Sequence, residues 1–155
     1  MRAEDLSPNG WRAVVGIVLD GTFHCSRELG HRVIERGGDN AQIINIVASY
    51  AWTGGPGTVH SAAAKAGVVN LTRTLAVEWA QHGIRVNAIA PGPTETAALR
   101  STAGDFAKQL VAQLPLARVG QTEDMVNACL FLLSDAASWI TGQIVNVDGG
   151  QISRL

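Results

Sequence analysis

A chain of 155 residues is long enough for one domain with its own core and too short for two comfortable ones. Its 46% apolar and 16% charged residues exclude the disordered and fibrous classes. The net charge of −1, from 12 basic and 13 acidic residues scattered without blocks, argues against nucleic-acid and membrane partners.

The first residues, Met1-Arg2-Ala3-Glu4-Asp5, carry no apolar h-region, and no run approaches the roughly 20 uninterrupted apolar residues of a membrane span. From about Asn9 to Arg36, Val14, Val15, Val18, Leu19, Phe23, Leu29 and Val33 recur at a mostly helical period. Ser7-Pro8-Asn9 opens this helix and Gly37-Gly38 closes it. Gln42 to Ala48 is a short β-branched run suited to a buried parallel strand, with Tyr50 at its C-terminal end. Glycines and a proline make 52–58 a loop. Helical patterning returns over 59–82, where Ala62, Ala63, Ala64, Ala66 and Gly67 permit close approach of another backbone and Leu71, Leu75 and Trp79 supply bulk.

Gly83 ends that helix, and Ile84 to Ala90 reads as a second buried strand stopped by Pro91-Gly92-Pro93. A polar, alanine-rich stretch over 94–104 precedes helical signals at about 105–113 and 122–134, the latter capped by Thr122 with Glu123 and Asp124 in its first turn. Gln143 to Val147 is a third strand before the turn Asp148-Gly149-Gly150. This alternation predicts an α/β fold, a parallel sheet with helices on both faces.

Cys25 and Cys129, without a second ligand-type residue at metal spacing, read as buried free thiols in a reducing compartment, and the protein as cytoplasmic. His24 and His31 likewise lack a partner for a metal, and His60 reads as a loop or surface residue. Ser61 and Lys65 are different. A spacing of four puts a hydroxyl and an ammonium on one helical face, where the cation favours negative charge developing beside the hydroxyl. Taken alone, the pair is a polar helix face; Tyr50 eleven residues before Ser61 and the Arg85-to-Pro93 segment following it only hint at an enzyme site.

The run Ile43 to Ala48, Ser61-x-x-x-Lys65-Ala66-Gly67, Leu75 to Trp79, Gly83 to Asn87, Pro91-Gly92-Pro93-x-x-Thr96 and Val147 to Gly150 together resemble the C-terminal part of the short-chain dehydrogenase/reductase family. The resemblance covers nearly the whole chain and implies one partial NAD(P)-binding Rossmann-type domain over 1–155, the later portion of a doubly wound parallel sheet. Most of the family has a tyrosine where this chain has Ser61. The 2,4-dienoyl-CoA reductase branch looks different, with a serine there and a tyrosine eleven residues earlier, the place of Tyr50.

The resemblance implies hydride transfer between NADP(H), with NAD(H) as the alternative, and an unsaturated acyl-CoA. It implies Tyr50 and Ser61 as donors to the substrate carbonyl, Lys65 as the residue holding the nicotinamide ribose, and Pro91, Gly92, Pro93, Thr94 and Thr96 around the nicotinamide. Asp20, ahead of Gly21, falls where the family usually has an asparagine; an ionised carboxylate accepts but cannot donate as an amide does. A larger departure is the start: Ala3 to Pro8 resembles the family's middle, and the first βαβ half with its glycine-rich phosphate turn is not found. The expectation is a truncated reductase, weak or inactive alone. Strands 43–48 and 84–90 are then expected to leave an unprotected edge and poor solubility. The alternatives are a non-catalytic module that forms homo-oligomers through helices 9–36 and 59–82, or a piece of a longer reductase. Smaller roles complete the reading: Ser49 as a strand-end cap, and Arg85-Val86-Asn87 and Asp148-Gly149-Gly150 as structural ties.

Overall fold

The computed structural model describes residues 1–38, 40–96, 111–112 and 114–152. Along them run α1 (Pro8–Val15), a π turn (Gly16–Asp20), α2 (Gly21–Glu35), β1 (Ala41–Ile46), α3 (Tyr50–Thr53), α4 (Val59–Trp79), β2 (Ile84–Pro91), α5 (Thr122–Leu133) and β3 (Ile144–Val147). The expected helix at 105–113, and most of the polar stretch 94–104, fall outside the described residues.

The helix expected over 9–36 is one continuous helical path with a wider turn in its middle. Ser7 opens it, its Oγ accepting the Gly10 amide at 3.0 Å, with Pro8 in the first turn where no amide partner is needed. At the far end the Gly38 amide reaches the Val33 carbonyl at 2.9 Å and the Gly37 amide the Ile34 carbonyl at 3.0 Å. These paired bonds need left-handed backbone, which Gly37 and Gly38 adopt with φ of 93° and 72°. Between α1 and α2 the Gly21 amide bonds the Gly16 carbonyl, five residues back, inserting one extra residue into the turn. Leu19 in that turn lies against α4 at Gly67, where a Cβ would come within 2.9 Å of Leu19 Cδ2.

The sheet is parallel in the order β1-β2-β3, with Ala41 to Ile46 opposite Ile84 to Ile89 and Ala88 to Pro91 opposite Ile144 to Val147. Strand alternation turns Ile84, Val86, Ala88 and Ala90 toward α4, where they bury against Val68, Val69, Leu75 and Ala76. Each valine- or isoleucine-sized side chain buried there stabilises by about 1.5–3 kcal/mol relative to leaving it in water. The opposite face of β2 carries Arg85 and Asn87. Arg85 Nη1 donates to the Leu132 carbonyl at 2.8 Å and the Ile140 carbonyl at 3.3 Å, and Nη2 to Ser134 at 3.3 Å, fastening the C-terminal end of α5. Asn87, fully buried, donates to the Ile140 carbonyl and accepts the Gln143 amide, both at 2.9 Å. Helices therefore cover both faces, and the Arg85 and Asn87 ties are structural, as the sequence suggested.

Three expectations are corrected. Strand 84–90 is not an edge: β2 lies in the centre, paired on both sides, and only β1 takes the exposed position on that side. The cap of α5 is Gln121 rather than Thr122, because Gln121 accepts from the backbone at Asp124 while Asp124 Oδ2 accepts the Gln121 amide at 2.8 Å. Cys25 is exposed rather than buried, since it sits on the outer face of α2.

Among the described residues nothing pairs the outer edge of β1, and Ile46 at its end is half-exposed. Unpaired strand edges recruit other chains. The purified chain should elute above monomer size in size-exclusion chromatography with light scattering, and Ile46→Lys should lower the associated fraction; a concentration-independent monomer would contradict this.

Candidate active site

Parallel pairing delivers the C-terminal ends of the three strands, Ile46, Pro91 and Val147, to one rim, where ligands of open α/β sheets gather. After β1 the Val47 amide still bonds the Ile89 carbonyl at 2.9 Å, and the chain then turns into α3. Tyr50, expected just past the strand, is the first residue of that short helix, and the loop expected over 52–58 begins only after Thr53. Ser49 precedes it, but its side chain makes no capping bond; its carbonyl accepts the Trp52 amide at 3.1 Å. Gly54, at φ 65°, ends α3 and lets the chain double back into α4.

That reversal brings the Tyr50 phenol and the Ser61 hydroxyl together, Oη to Oγ 3.1 Å, both half-buried. Lys65 follows one turn along the same helix, and its Nζ donates to the Ile46 carbonyl at 2.5 Å. The tie spans 19 residues and anchors the ammonium at the end of β1. Burial lowers the Lys65 pKa from the usual lysine range, because desolvation disfavours the charged form. No carboxylate among the described residues pairs with it, so two of its three N–H donors remain available.

Asp20 does not join this group. It closes the π turn, is exposed, and has no hydrogen-bond partner among the described residues. The reading of His60 as a loop or surface residue is also corrected: it is the second residue of α4, half-buried, with Nδ1 enclosed and without a partner. No sequence signal marks that burial, which comes from packing around the start of α4.

Pro91, Gly92, Pro93 and Thr94 continue β2 along the rim. The Gly92 amide bonds the Val147 carbonyl at 3.0 Å, and a Cβ on Gly92 would come within 2.6 Å of Asp148 Cα, so only glycine fits this crossing. Thr94 Oγ1 donates to the Gly92 carbonyl at 3.0 Å, and a parallel bridge joins Thr94 to Gly120. Thr96 lies just beyond. Asp148 is nearly buried and accepts the Gly150 and Ile152 amides, both at 2.9 Å, which makes Asp148-Gly149-Gly150 a turn first, as expected.

A cleft of about 320 Å³ opens beside this loop, lined among others by Pro93, Leu116, Arg118, Asp124 and Gly149. Arg118 clasps Asp124 with two N–H bonds of 2.7 and 3.0 Å. That guanidinium, and then the Gln121 amide, hold the Asp124 carboxyl at about 2.

The donor set fits one end of a dinucleotide. Lys65 has N–H groups to spare for ribose hydroxyls, and Pro91 to Thr94 run along the same rim of the sheet. The phosphate end is different. Among the described residues no helix opens directly from a strand through a glycine-rich turn, which is how such folds hold a pyrophosphate. Among them, too, no helix is long and apolar enough to cross a membrane.

Comparison with known proteins places these features in context. The family model described as enoyl-(acyl carrier protein) reductase matches residues 1–151. A probable 2,4-dienoyl-CoA reductase of Bacillus subtilis (strain 168) is 49% identical over 153 residues, covering 96% of this chain and 60% of the relative. A short chain dehydrogenase of Bacillus anthracis, known by crystallography, is 51% identical with a TM-score of 0.87, covering 97% of this chain and 58% of that one. A protein of Agrobacterium tumefaciens solved with bound NADP is 34% identical with a TM-score of 0.94, covering 99% of this chain and 63% of its own. The chain thus spans about three fifths of the length of these relatives.

Proposed function

The chain belongs to the short-chain dehydrogenase/reductase family, and on that premise we propose that it carries the substrate-activating part of an NADP(H)-dependent reductase of conjugated acyl thioesters, of the 2,4-dienoyl-CoA kind. The observation that carries the reading is the 3.1 Å contact between Tyr50 Oη and Ser61 Oγ at the rim of the sheet, with Lys65 one turn away. Similarity to the Bacillus subtilis relative supports the substrate class, and NADP in a solved relative supports the cofactor, with NAD(H) as the competing choice.

Lys65 and the Pro91-to-Thr96 segment would hold a reduced nicotinamide, which when bound would supply hydride to the conjugated acyl group and so place negative charge on the thioester oxygen. The Tyr50–Ser61 pair meets that oxygen with one O–H, the other proton bridging the two hydroxyls. One hydroxyl of the pair accepts a hydrogen bond from the other, which polarises it and makes it the stronger donor to a third oxygen. Lys65 keeps one N–H on the Ile46 carbonyl and offers the others to the ribose, so its position is fixed by the strand and not by the ligand. Pro91, Gly92, Pro93, Thr94 and Thr96 flank the nicotinamide. Asp20, whose carboxylate bonds to none of these groups, takes a water-holding role at the turn that packs against α4. Free thiols at Cys25 and Cys129 are in keeping with a reducing, cytoplasmic setting.

With no phosphate-binding turn among the described residues, the chain by itself should grip the cofactor weakly. Titration with NADPH, followed by nicotinamide fluorescence, should give a dissociation constant weaker than about 100 µM; micromolar binding would overturn that claim. Joined to the N-terminal segment of the Bacillus subtilis relative, the chain should oxidise NADPH in the presence of 2,4-hexadienoyl-CoA, and failure of a folded, NADPH-binding fusion to do so would remove the reading.

A second reading, a pairing module without catalysis, draws on the outer helix surfaces. Phe23 and Leu29 on α2 and Val77 on α4 are exposed, and Ala63 and Ala66 leave room for another backbone. Association that survives Ile46→Lys and is lost in Val77→Glu would favour it over the strand edge.

A further inference from the structure

Lys65 is chemically unlike the other cations of the chain. Ten of the 12 basic residues are arginines, which do not lose their proton or attack carbonyl carbon under ordinary conditions; the only other lysine is Lys108, outside the described residues. Among the described residues Lys65 has no carboxylate to hold it as an ammonium. Its bonding partner is a neutral carbonyl, that of Ile46, and it is half-buried. Burial also raises its uncharged, nucleophilic fraction. One turn away stand two hydroxyls directed at each other, an arrangement suited to receive a carbonyl oxygen as it turns into an oxyanion.

We propose that Lys65 is a site of covalent acylation by acyl thioesters bound at the Tyr50–Ser61 pair when the nicotinamide does not stand between them. This rests on the reading of an acyl thioester as the substrate class. In the step, the Lys65 nitrogen attacks the thioester carbon and a C–N bond forms. The oxygen carries the negative charge against the one O–H that the Tyr50–Ser61 pair leaves free. The C–S bond then breaks, its electron pair leaves on sulfur, and the thiolate takes up the proton released by nitrogen. Nothing is oxidised or reduced, and the products are an amide on Lys65 and free coenzyme A. The amide carries no charge, so it removes the cation that would hold the ribose. The site would inactivate itself when acyl thioester is abundant and cofactor scarce.

The test uses the purified chain and octanoyl-CoA, a saturated thioester that cannot add through a double bond, without nicotinamide. Hydroxylamine treatment strips thioesters formed on Cys25 and Cys129 and leaves amides, after which intact mass and peptide mapping locate the acyl group. The expected result is one hydroxylamine-resistant acyl group, at Lys65 in at least about tenfold excess over Lys108. Tyr50→Phe should slow its appearance about tenfold or more, and Lys65→Arg should abolish it. Equal modification of both lysines, or an unchanged rate in a folded Tyr50→Phe chain, would overturn the proposal. Calorimetry separates it from the reading beneath it. Saturable octanoyl-CoA binding without an adduct defeats acylation alone, whereas absence of binding defeats the acyl-thioester reading as well.

Discussion

Tyr50→Phe, made in the chain joined to a cofactor-binding N-terminal segment, should lower kcat for dienoyl-CoA reduction by about 100- to 1000-fold, the usual effect of deleting one oxyanion donor. The substitution keeps the ring and removes only the oxygen that lies 3.1 Å from Ser61. The loss should appear in kcat and equally in kcat/KM, with KM little changed, because the contact strengthens only as charge develops on the substrate oxygen. Ser61→Ala should fall short of that loss. The double variant should be little worse than Tyr50→Phe, since the two hydroxyls act as a unit. Turnover by Tyr50→Phe within threefold of the parent would take the phenol out of the mechanism and leave the reductase reading to Lys65 and Ser61 alone.

Asn87→Ala should be the most damaging single change to stability among the polar ties of the core. Asn87 is fully buried and its one amide satisfies two backbone groups, the Ile140 carbonyl and the Gln143 amide. The carbonyl keeps a longer bond to Arg85 at 3.3 Å, but the Gln143 amide loses its partner. An orphaned, partly buried donor together with the cavity left in place of Asn87 amounts to about 2–4 kcal/mol. With a urea m-value of about 2 kcal/mol/M, the midpoint should fall by about 1–2 M. A loss below about 1 kcal/mol would mean that the segment before β3 relaxes to find water.

The alternation of apolar residues made the three strands and the long helices legible, because period and end signals coincide: Ser7 and Pro8 at one end of the first helix, Gly37 and Gly38 at the other. Ser61 and Lys65 share a helical face, but only the resemblance to the family's dienoyl-CoA reductase branch joins Tyr50 to them and raises the three above a polar helix surface. What stayed hidden depends on contacts distant in sequence. The π turn at Gly16–Asp20 lies where Leu19 meets Gly67, and nothing local to the turn announces it. The tie from Lys65 to the Ile46 carbonyl needs α4 docked on β1. The short helix opening at Tyr50 carries no signal in the sequence, because four residues are too few to show a helical period; Gly54, with positive φ, closes it. Gln121 displaced Thr122 as cap through a reciprocal bond with Asp124 that spacing alone leaves ambiguous. The central place of β2 followed from β3 pairing on its far side, a matter of strand order that no local pattern encodes.

Arg85 has a consequence for how the sequence can drift. It grips Leu132, Ser134 and Ile140 solely by their main-chain oxygens, which every amino acid supplies. Those three positions can exchange side chains without loosening the guanidinium, while position 85 tolerates no shorter or uncharged substitute. For this joint alone, variation should be strict at position 85 and permissive at exposed Ser134, whereas Leu132 stays constrained by its own burial, an asymmetry imposed by which partner contributes a side chain.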